Sequence, residues 1–478
     1  MGYCLTRKPV RSLFRRTACV VLALFTLTLA VPPHGALAFG EFSIKDEVEM
    51  GRKIRMSMRL SLPLVDDPEV QRYVDDLLRR LSKGVPPQPF PLSVNVVRHN
   101  AINAFAVPGG NLFLFTGLIL SMDTESELAG VLAHEMAHAT QRHMASRIKQ
   151  ANTISLLSLA GAIAGAFIGG NAGSGVMAAS MAAGQAKMLE NSRSDEADAD
   201  QVGMNYLVAG GFSPRGMAGS FEKIRRQQWL LGLDIPTYLS THPAIDERIV
   251  SLSSRVDRMS AATKSRTDDN RAFFRIQALI RSRYADPDMA LATFARQKNG
   301  EEKCLAFMGE GIIYARQNKI AQARNAFDQA LDCGKADPLI LREAGIFHYM
   351  KGTHSLGEDL LRRAVSLNPK DALTLFYYGR VLADSGDLKG AQRHFREVLM
   401  YVPDDPEVHY YYAQALGRDK QLFLAYLHMA YSSFYSGDGL KAESNIKKAR
   451  DAAKTPEQQD ALQRYDDRVK ERRELLGS

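Results

Sequence analysis

The stretch Val131-Leu-Ala-His134-Glu135-Met-Ala-His138 decides how this 478-residue chain is read. His134 and His138 are four residues apart, so a helix presents both imidazoles on one face, one turn apart. That is the spacing at which two histidines hold a tetrahedral Zn²⁺, and Glu135 beside them is placed to take a proton from an attacking water. Thr124 and Glu127 stand in the capping-box relation ahead of Leu128, Val131 and Leu132, which supports the helix. Five-residue patterns also recur by chance, so a metal site needs a further ligand from elsewhere in the chain.

Ser192-Arg-Ser-Asp-Glu196-Ala-Asp-Ala-Asp200 offers one, on a helix expected to run to about Val208 and to end at Gly210-Gly211. Glu196 and Asp200 again share a face, and a carboxylate 58 residues after His138 suits the third protein ligand of a zinc site with one open position. Asp200, one turn further on, can accept a hydrogen bond from the remaining ring nitrogen of a ligand histidine. The competing reading is a solvated acidic helix start, where negative charge is favoured anyway, and on composition alone it would prevail. His242, in Ser240-Thr-His-Pro-Ala-Ile-Asp-Glu-Arg248, is either structural or reaches the metal, as an oxyanion stabiliser or as a cap on the open position.

Before the zinc helix, Leu92 to Val97 and Leu112 to Phe115 read as β-runs, with Asn103-Ala-Phe-Ala-Val-Pro-Gly-Gly110 between them and a turn at Gly109-Gly110. An exposed edge at Asn103, Ala104 and Phe105 would receive a peptide by strand addition and bring a scissile bond to the metal. The alternative is an ordinary hairpin. Further upstream, Val70, Val74, Leu77, Leu78 and Leu81 recur at helical spacing after Pro68.

The N-terminus carries Arg7, Lys8, Arg11, Arg15 and Arg16, then an apolar run from Thr17 to Val31 and a small-x-small site at Ala36-Leu-Ala38, the pattern of a secretory signal peptide cleaved after Ala38. Removing these five basic residues lowers the formal net charge from +8 to +3, which leaves little reason to expect nucleic acid as a partner. Composition, at 45% hydrophobic and 24% charged, excludes a disordered chain. Export permits a disulfide between Cys304 and Cys333, and two free thiols fit equally well. Residues 151–188, rich in Gly and Ala, read as helices or loops packed over the cleft and touching a membrane surface; a membrane hairpin is the alternative.

From about Thr267 the chain repeats. Gly311, Gly345, Gly379 and Ala413 are each 34 residues apart, and Phe327, Leu361 and Phe395 follow their glycines by 16. This is the tetratricopeptide period, which stacks helix pairs into a solenoid whose concave face binds polypeptides. Thr455 to Leu476 reads as a capping helix.

His134-Glu-Met-Ala-His138-Ala-Thr-Gln-Arg-His143, Ser192-Arg-x-x-Glu196-x-x-x-Asp200 and Asn103-Ala-Phe-Ala-x-Pro-Gly-Gly together resemble the gluzincin metallopeptidases of the HtpX kind. The resemblance covers the mature chain and is closest to the periplasmic branch that carries a tetratricopeptide array. It implies His134, His138 and Glu196 as ligands of one zinc ion, Glu135 as catalytic base, Asp200 as partner of a ligand histidine, and His242 as a cap on the zinc in a latent state. It also implies outer-membrane assembly clients bound through the repeats. The expected fold is mainly α with a small β-sheet: signal peptide 1–38, zincin-type metalloprotease domain 39–255, linker 256–269 and a tetratricopeptide α-solenoid over 270–478. The expected function is a zinc metalloendopeptidase of the cell envelope. The second reading is a chaperone or assembly factor that holds clients on its repeats while proteolysis stays latent.

Overall fold

The computed structural model describes residues 43–65, 67–150, 192–231 and 237–476; the leader expected over 1–38 and the Gly/Ala-rich stretch 151–188 lie outside the described residues. Contacts divide the chain after Asp46 into a short first unit and a second that holds everything from Glu47 on. Helix α1 (Ile44–Ser61) precedes α2 (Pro68–Leu81). Asp67 caps α2 by accepting the Glu69 N–H at 3.0 Å, and Pro68 occupies the first turn, where no amide hydrogen is needed. The stripe from Val70 to Leu81 expected from its spacing is buried.

Strands β1 (Ser93–Val97), β2 (Ala104–Val107) and β3 (Asn111–Phe115) form one sheet in the order β1-β3-β2. β1 runs parallel to β3 and β2 antiparallel to it. The β2–β3 hairpin turns through Gly109 and Gly110 at φ of 74° and 77°, a region glycine enters without steric cost. β3 is buried along its whole length, as a central strand should be, and β2 is left as an edge.

A short α3 (Thr116–Ser121) leads into α4 (Glu125–Thr140), the histidine helix. Its capping box is formed: Thr124 Oγ1 accepts the Glu127 N–H at 3.2 Å, and the Glu127 carboxylate accepts the Thr124 N–H at 3.3 Å. Every residue from Leu128 to Thr140 is buried, so α4 needs neighbours on all sides. β2 and β3 cover one side. After α5 (His143–Gln150), helices α6 (Arg193–Ala209) and α7 (Arg215–Leu231) cover the others. Two glycines permit this approach: a Cβ on Gly130 would stand 2.6 Å from Met217 Cα of α7, and one on Gly203 would stand 2.9 Å from Ala133 O of α4.

Helices α8 (Thr237–Thr241) and α9 (Ile245–Asp257) run up to the segment expected to be a linker, 256–269, which contains α10 (Ala261–Lys264). That segment is pinned to the metal helix. Asn270 Oδ1 accepts the Glu125 N–H at 2.8 Å and Asp268 Oδ2 the Ser126 N–H at 3.2 Å, supplying acceptors to first-turn amides that no carbonyl within α4 can reach. Arg266 donates to Val208 O at 2.6 Å.

Helices α11 (Arg271–Tyr284) and α12 (Pro287–Gln297) form the irregular first pair. The regular pairs are α13 (Lys303–Arg316) with α14 (Ile320–Cys333), α15 (Pro338–Met350) with α16 (His354–Leu367), α17 (Ala372–Ser385) with α18 (Leu388–Tyr401), and α19 (Pro406–Arg418) with α20 (Leu422–Tyr435). Helices α21 (Gly439–Ala452) and α22 (Pro456–Leu476) end the stack. The 16-residue offset seen in the sequence is a contact: Phe327, Leu361 and Phe395 lie so near Gly311, Gly345 and Gly379 that a Cβ there would meet them at 2.9–3.0 Å. Cys304 and Cys333 are joined across the α13–α14 pair, with Cα atoms 5.7 Å apart.

One hydrophobic cluster runs from Val65 and Val70 through α4 and on to Leu360 and Ala364, so the sheet-and-helix region and the first repeats share a core. Ion pairs reinforce that junction. Arg342, fully buried, reaches Glu69, Glu343 at 2.8 Å and Asp371 at 2.7 Å, while Arg283 reaches Asp67 and Glu343. Arg342→Met leaves these carboxylates short of a cation and is expected to cost about 3–5 kcal/mol, as breaking a buried ionic network does. Calorimetry checks this against Arg362→Met, an exposed pair whose loss should cost about 0.5 kcal/mol or less.

Candidate metal centre

Helix α4 brings His134 Nε2 and His138 Nε2 to 3.0 Å from each other. Helix α6, held close by Gly203, places Glu196 Oε2 3.4 Å from His134 Nε2 and Glu196 Oε1 3.2 Å from His138 Nε2. His242, from the turn between α8 and α9, adds Nδ1 at 3.0 Å from Glu196 Oε1 and 3.4 Å from His134 Nε2. All four side chains are buried, and their donor atoms lie within 4.8 Å of one another. Glu135 points into the same space: its Oε1 is 3.5 Å from His242 Nε2 and is buried without a hydrogen-bond partner.

The outer ring nitrogens are held too. His134 Nδ1 lies 3.0 Å from Asp200 Oδ1; when the ring is neutral and donates there, Nε2 keeps its lone pair for a cation in the site. His138 Nδ1 meets His143 Nδ1 at 2.9 Å, and His143 Nε2 meets Asp198 Oδ2 at 3.2 Å. With His143 protonated on Nε2 towards Asp198, His138 donates from Nδ1 and its Nε2 is likewise free for a cation. The run Asp198-Ala-Asp200 thus serves both ligand histidines, one of them through His143.

Arg248 of α9 completes the site. Its Nε and Nη2 fork onto Asp200 at 2.8 and 2.7 Å, its Nη1 lies 2.5 Å from Glu196 Oε2, and its guanidinium carbon stands 4.3 Å over the Phe221 ring. The sequence analysis passed over this residue. The available signal was its place on the helix that follows His242, one buried cation for two buried carboxylates. Tyr238 was missed as well; its ring stacks on His242 at 4.3 Å between centroids.

Electrostatics follow from this packing. Burial pushes the Glu135 carboxyl up, which suits a group that must accept a proton. Burial acts the same way on Glu196 and Asp200, but histidine and Arg248 partners outweigh it and hold both below the usual carboxylate range. His138 is pushed well down, chiefly by burial. Burial and Arg248 oppose charge on His134, yet Asp200 and Glu196 prevail and raise it to about 9. With His134 neutral, as metal binding requires, the carboxylates of Glu135, Glu196 and Asp200 against one guanidinium leave a formal excess of two negative charges in a dry site, which a divalent cation neutralises. Nitrogen and oxygen donors, an orphaned carboxylate oxygen and this charge excess fit a bound metal ion.

Beside the centre lies a cleft lined by Phe105 to Pro108 of β2 and the turn after it, by Glu135 and His138, and by Thr241 and His242. Ala104 and Phe105 lie within β2, at the sheet edge that borders this cleft; Asn103 precedes the strand, buried, with both side-chain polar atoms unpartnered. Among the described residues no helix is long and apolar enough to cross a membrane.

A histidine pair one turn apart on a buried helix, a carboxylate from a second helix and a sheet edge running past them define the zincin class of metallopeptidase folds. Residues 65–256 match peptidase family M48 and residues 308–372 a tetratricopeptide-repeat family. Over that first stretch the chain is similar to family M48, and it continues into tetratricopeptide repeats. It is similar to the beta-barrel assembly-enhancing proteases of Yersinia pestis (29% identity, covering 63% of each chain) and Escherichia coli K12 (30% identity, 50% of each). It also resembles the mitochondrial metalloendopeptidase OMA1 of Arabidopsis thaliana, at 32% identity over 32% of this chain and 30% of that one. The matched region therefore spans between half and two thirds of the assembly-enhancing proteases' length.

Asp200→Asn, which weakens the hold on His134 without removing a donor to the ion, should lower metal affinity about 10–100-fold. Competition with a chelator measures it, and His143→Ala should show a loss of the same order if the His138 chain matters equally.

Proposed function

We propose that the chain is a zinc-dependent metalloendopeptidase of the cell envelope. The observation that carries this reading is the convergence of His134, His138 and Glu196 next to Glu135, beside the edge strand β2; Ala104 and Phe105 of that strand and Asn103 before it are buried. Two imidazoles and one carboxylate are the donor set of catalytic zinc sites that keep one position open. Zinc bound there supplies Lewis acidity and a water that ionises near neutral pH. The chain's own groups do the rest. The β2 edge at Asn103, Ala104 and Phe105 aligns the peptide in extended form, its backbone completing the sheet. Glu135, its basicity raised by burial, takes the proton of the attacking water and passes it to the leaving nitrogen.

His242 lies within reach of every ligand and acts as a removable cap. Capping explains why its Nδ1, not only its Nε2, is turned into the donor cluster. The expected signal peptide and the names of the relatives support an envelope location. The repeats, with a concave face of the kind that binds polypeptides, support recruitment of outer-membrane assembly clients, misassembled chains being cleaved. Contact of 151–188 with a membrane surface belongs to this reading.

Glu135→Gln should retain zinc and lose peptide cleavage by about 10²–10⁴-fold, the range supplied by a positioned general base; full turnover of an unstructured peptide by this variant would exclude the mechanism. His242→Ala should raise basal cleavage of such a peptide, while a fall would make His242 an oxyanion stabiliser instead. The placement of His242 also favours the second reading, a client-binding assembly factor whose protease is latent. The two readings separate in cells: if Glu135→Gln supports barrel assembly as well as the unaltered chain does, binding is the main role.

A further inference from the structure

Both oxygens of Glu196 lie among the donors, Oε2 at 3.4 Å from His134 Nε2, but only Oε2 also meets the Arg248 guanidinium. Oε1 lies 3.2 Å from His138 Nε2 and 3.0 Å from His242 Nδ1, on the side where the donors converge. Oε2 lies 2.5 Å from Arg248 Nη1. Arg248 has little freedom to move. Its other two nitrogens are bonded to Asp200, its plane lies over Phe221, and the residue is 5% exposed. Phe221 in turn meets the His134 ring edge-on at 5.6 Å. One guanidinium therefore ties the third ligand to the group that orients the first.

We infer that Arg248 is a positioning residue that keeps Glu196 a one-oxygen ligand. A carboxylate free at both oxygens can close both onto a zinc ion, so that His134, His138 and Glu196 alone supply four donor atoms and a water or the capping histidine makes five. Engaging Oε2 in an ion pair leaves Oε1 alone for the ion and preserves the open position that both catalysis and the His242 cap require. The fork matters: lysine, a point charge, cannot hold Asp200 and Glu196 at two separate edges. A role confined to charge neutralisation differs in what it predicts. It lowers stability and metal affinity on removal of Arg248 but leaves the coordination number alone.

The inference rests on the metal-centre reading, and cobalt separates the two. Full-length protein is loaded with Co²⁺, whose visible absorption is strong in four-coordinate sites and weak in five-coordinate ones. The unaltered chain should give the strong spectrum. Arg248→Met and Arg248→Lys should weaken it about two-fold or more, as expansion to five ligands requires. In zinc-loaded samples kcat should fall while KM holds, because the peptide-binding edge is untouched. Melting curves show which variants are folded, and Arg248→Lys decides if Arg248→Met is not. A folded variant with the spectrum of the unaltered chain overturns the inference and leaves Arg248 a structural cation. Failure of the unaltered chain to take up cobalt or zinc overturns the metal-centre reading instead.

Discussion

Helix α4 can offer two imidazoles to a metal only because α6 crosses it within backbone contact at Gly203. Any side chain there would meet the carbonyl of Ala133 and the Cα of His134, so the helices would part just where the ligands must meet. Glu196 and Asp200 lie two turns and one turn before that crossing, near enough to inherit its precision. Gly130 does the same on the other flank, where α7 approaches and brings Phe221 under Arg248. The centre is thus placed by three helices whose separation is set by the absence of two β-carbons.

Burial then decides the chemistry. Glu135, Glu196 and Asp200 are taken out of water together, and buried charge is tolerated only where it is paired. Arg248 pairs two of them. Glu135 is left with an unpartnered oxygen, and burial makes it the most basic of the three. The difference between the two glutamates therefore comes from their surroundings and not from residue type: histidine partners hold Glu196 down, while burial prevails on Glu135. Two glutamates of the same chemistry are driven in opposite directions by their surroundings, as acid–base assignment in an enzyme requires.

The parts legible in the sequence were those governed by local rules. The capping box at Thr124 and Glu127, Pro68 in the first turn of α2, the Gly210-Gly211 stop of α6 and the 34-residue period each follow from contacts within a few turns, and spacing reports them faithfully. His134, His138, Glu196 and Asp200 were nameable because helical spacing fixes which side chains share a face. Arg248, Tyr238 and the His143–Asp198 relay depend on how α5, α8 and α9 dock onto α4 and α6, and no periodicity records a docking angle. The ion pairs of Arg283 and Arg342 were hidden for the same reason, since their partners lie as many as 273 residues away in sequence.

The stretch 256–269 shows why composition misleads about mechanical independence. It is short, polar and poor in large apolar residues, which is how a tether looks. Yet Asp268 and Asn270 supply acceptors to the first turn of α4, and acidic or amide oxygens there also complement the positive end of the helix dipole. Residues at the entrance to the repeats are thereby the cap of the helix that carries the metal ligands. Gln277, one helix into the array, donates to Ile119 O at 2.9 Å and Met122 O at 2.7 Å, just ahead of that cap. Helix α11 is therefore tied to the residues at the start of α4 by hydrogen bonds. A displacement of the first repeats would act on the helix that carries His134 and His138.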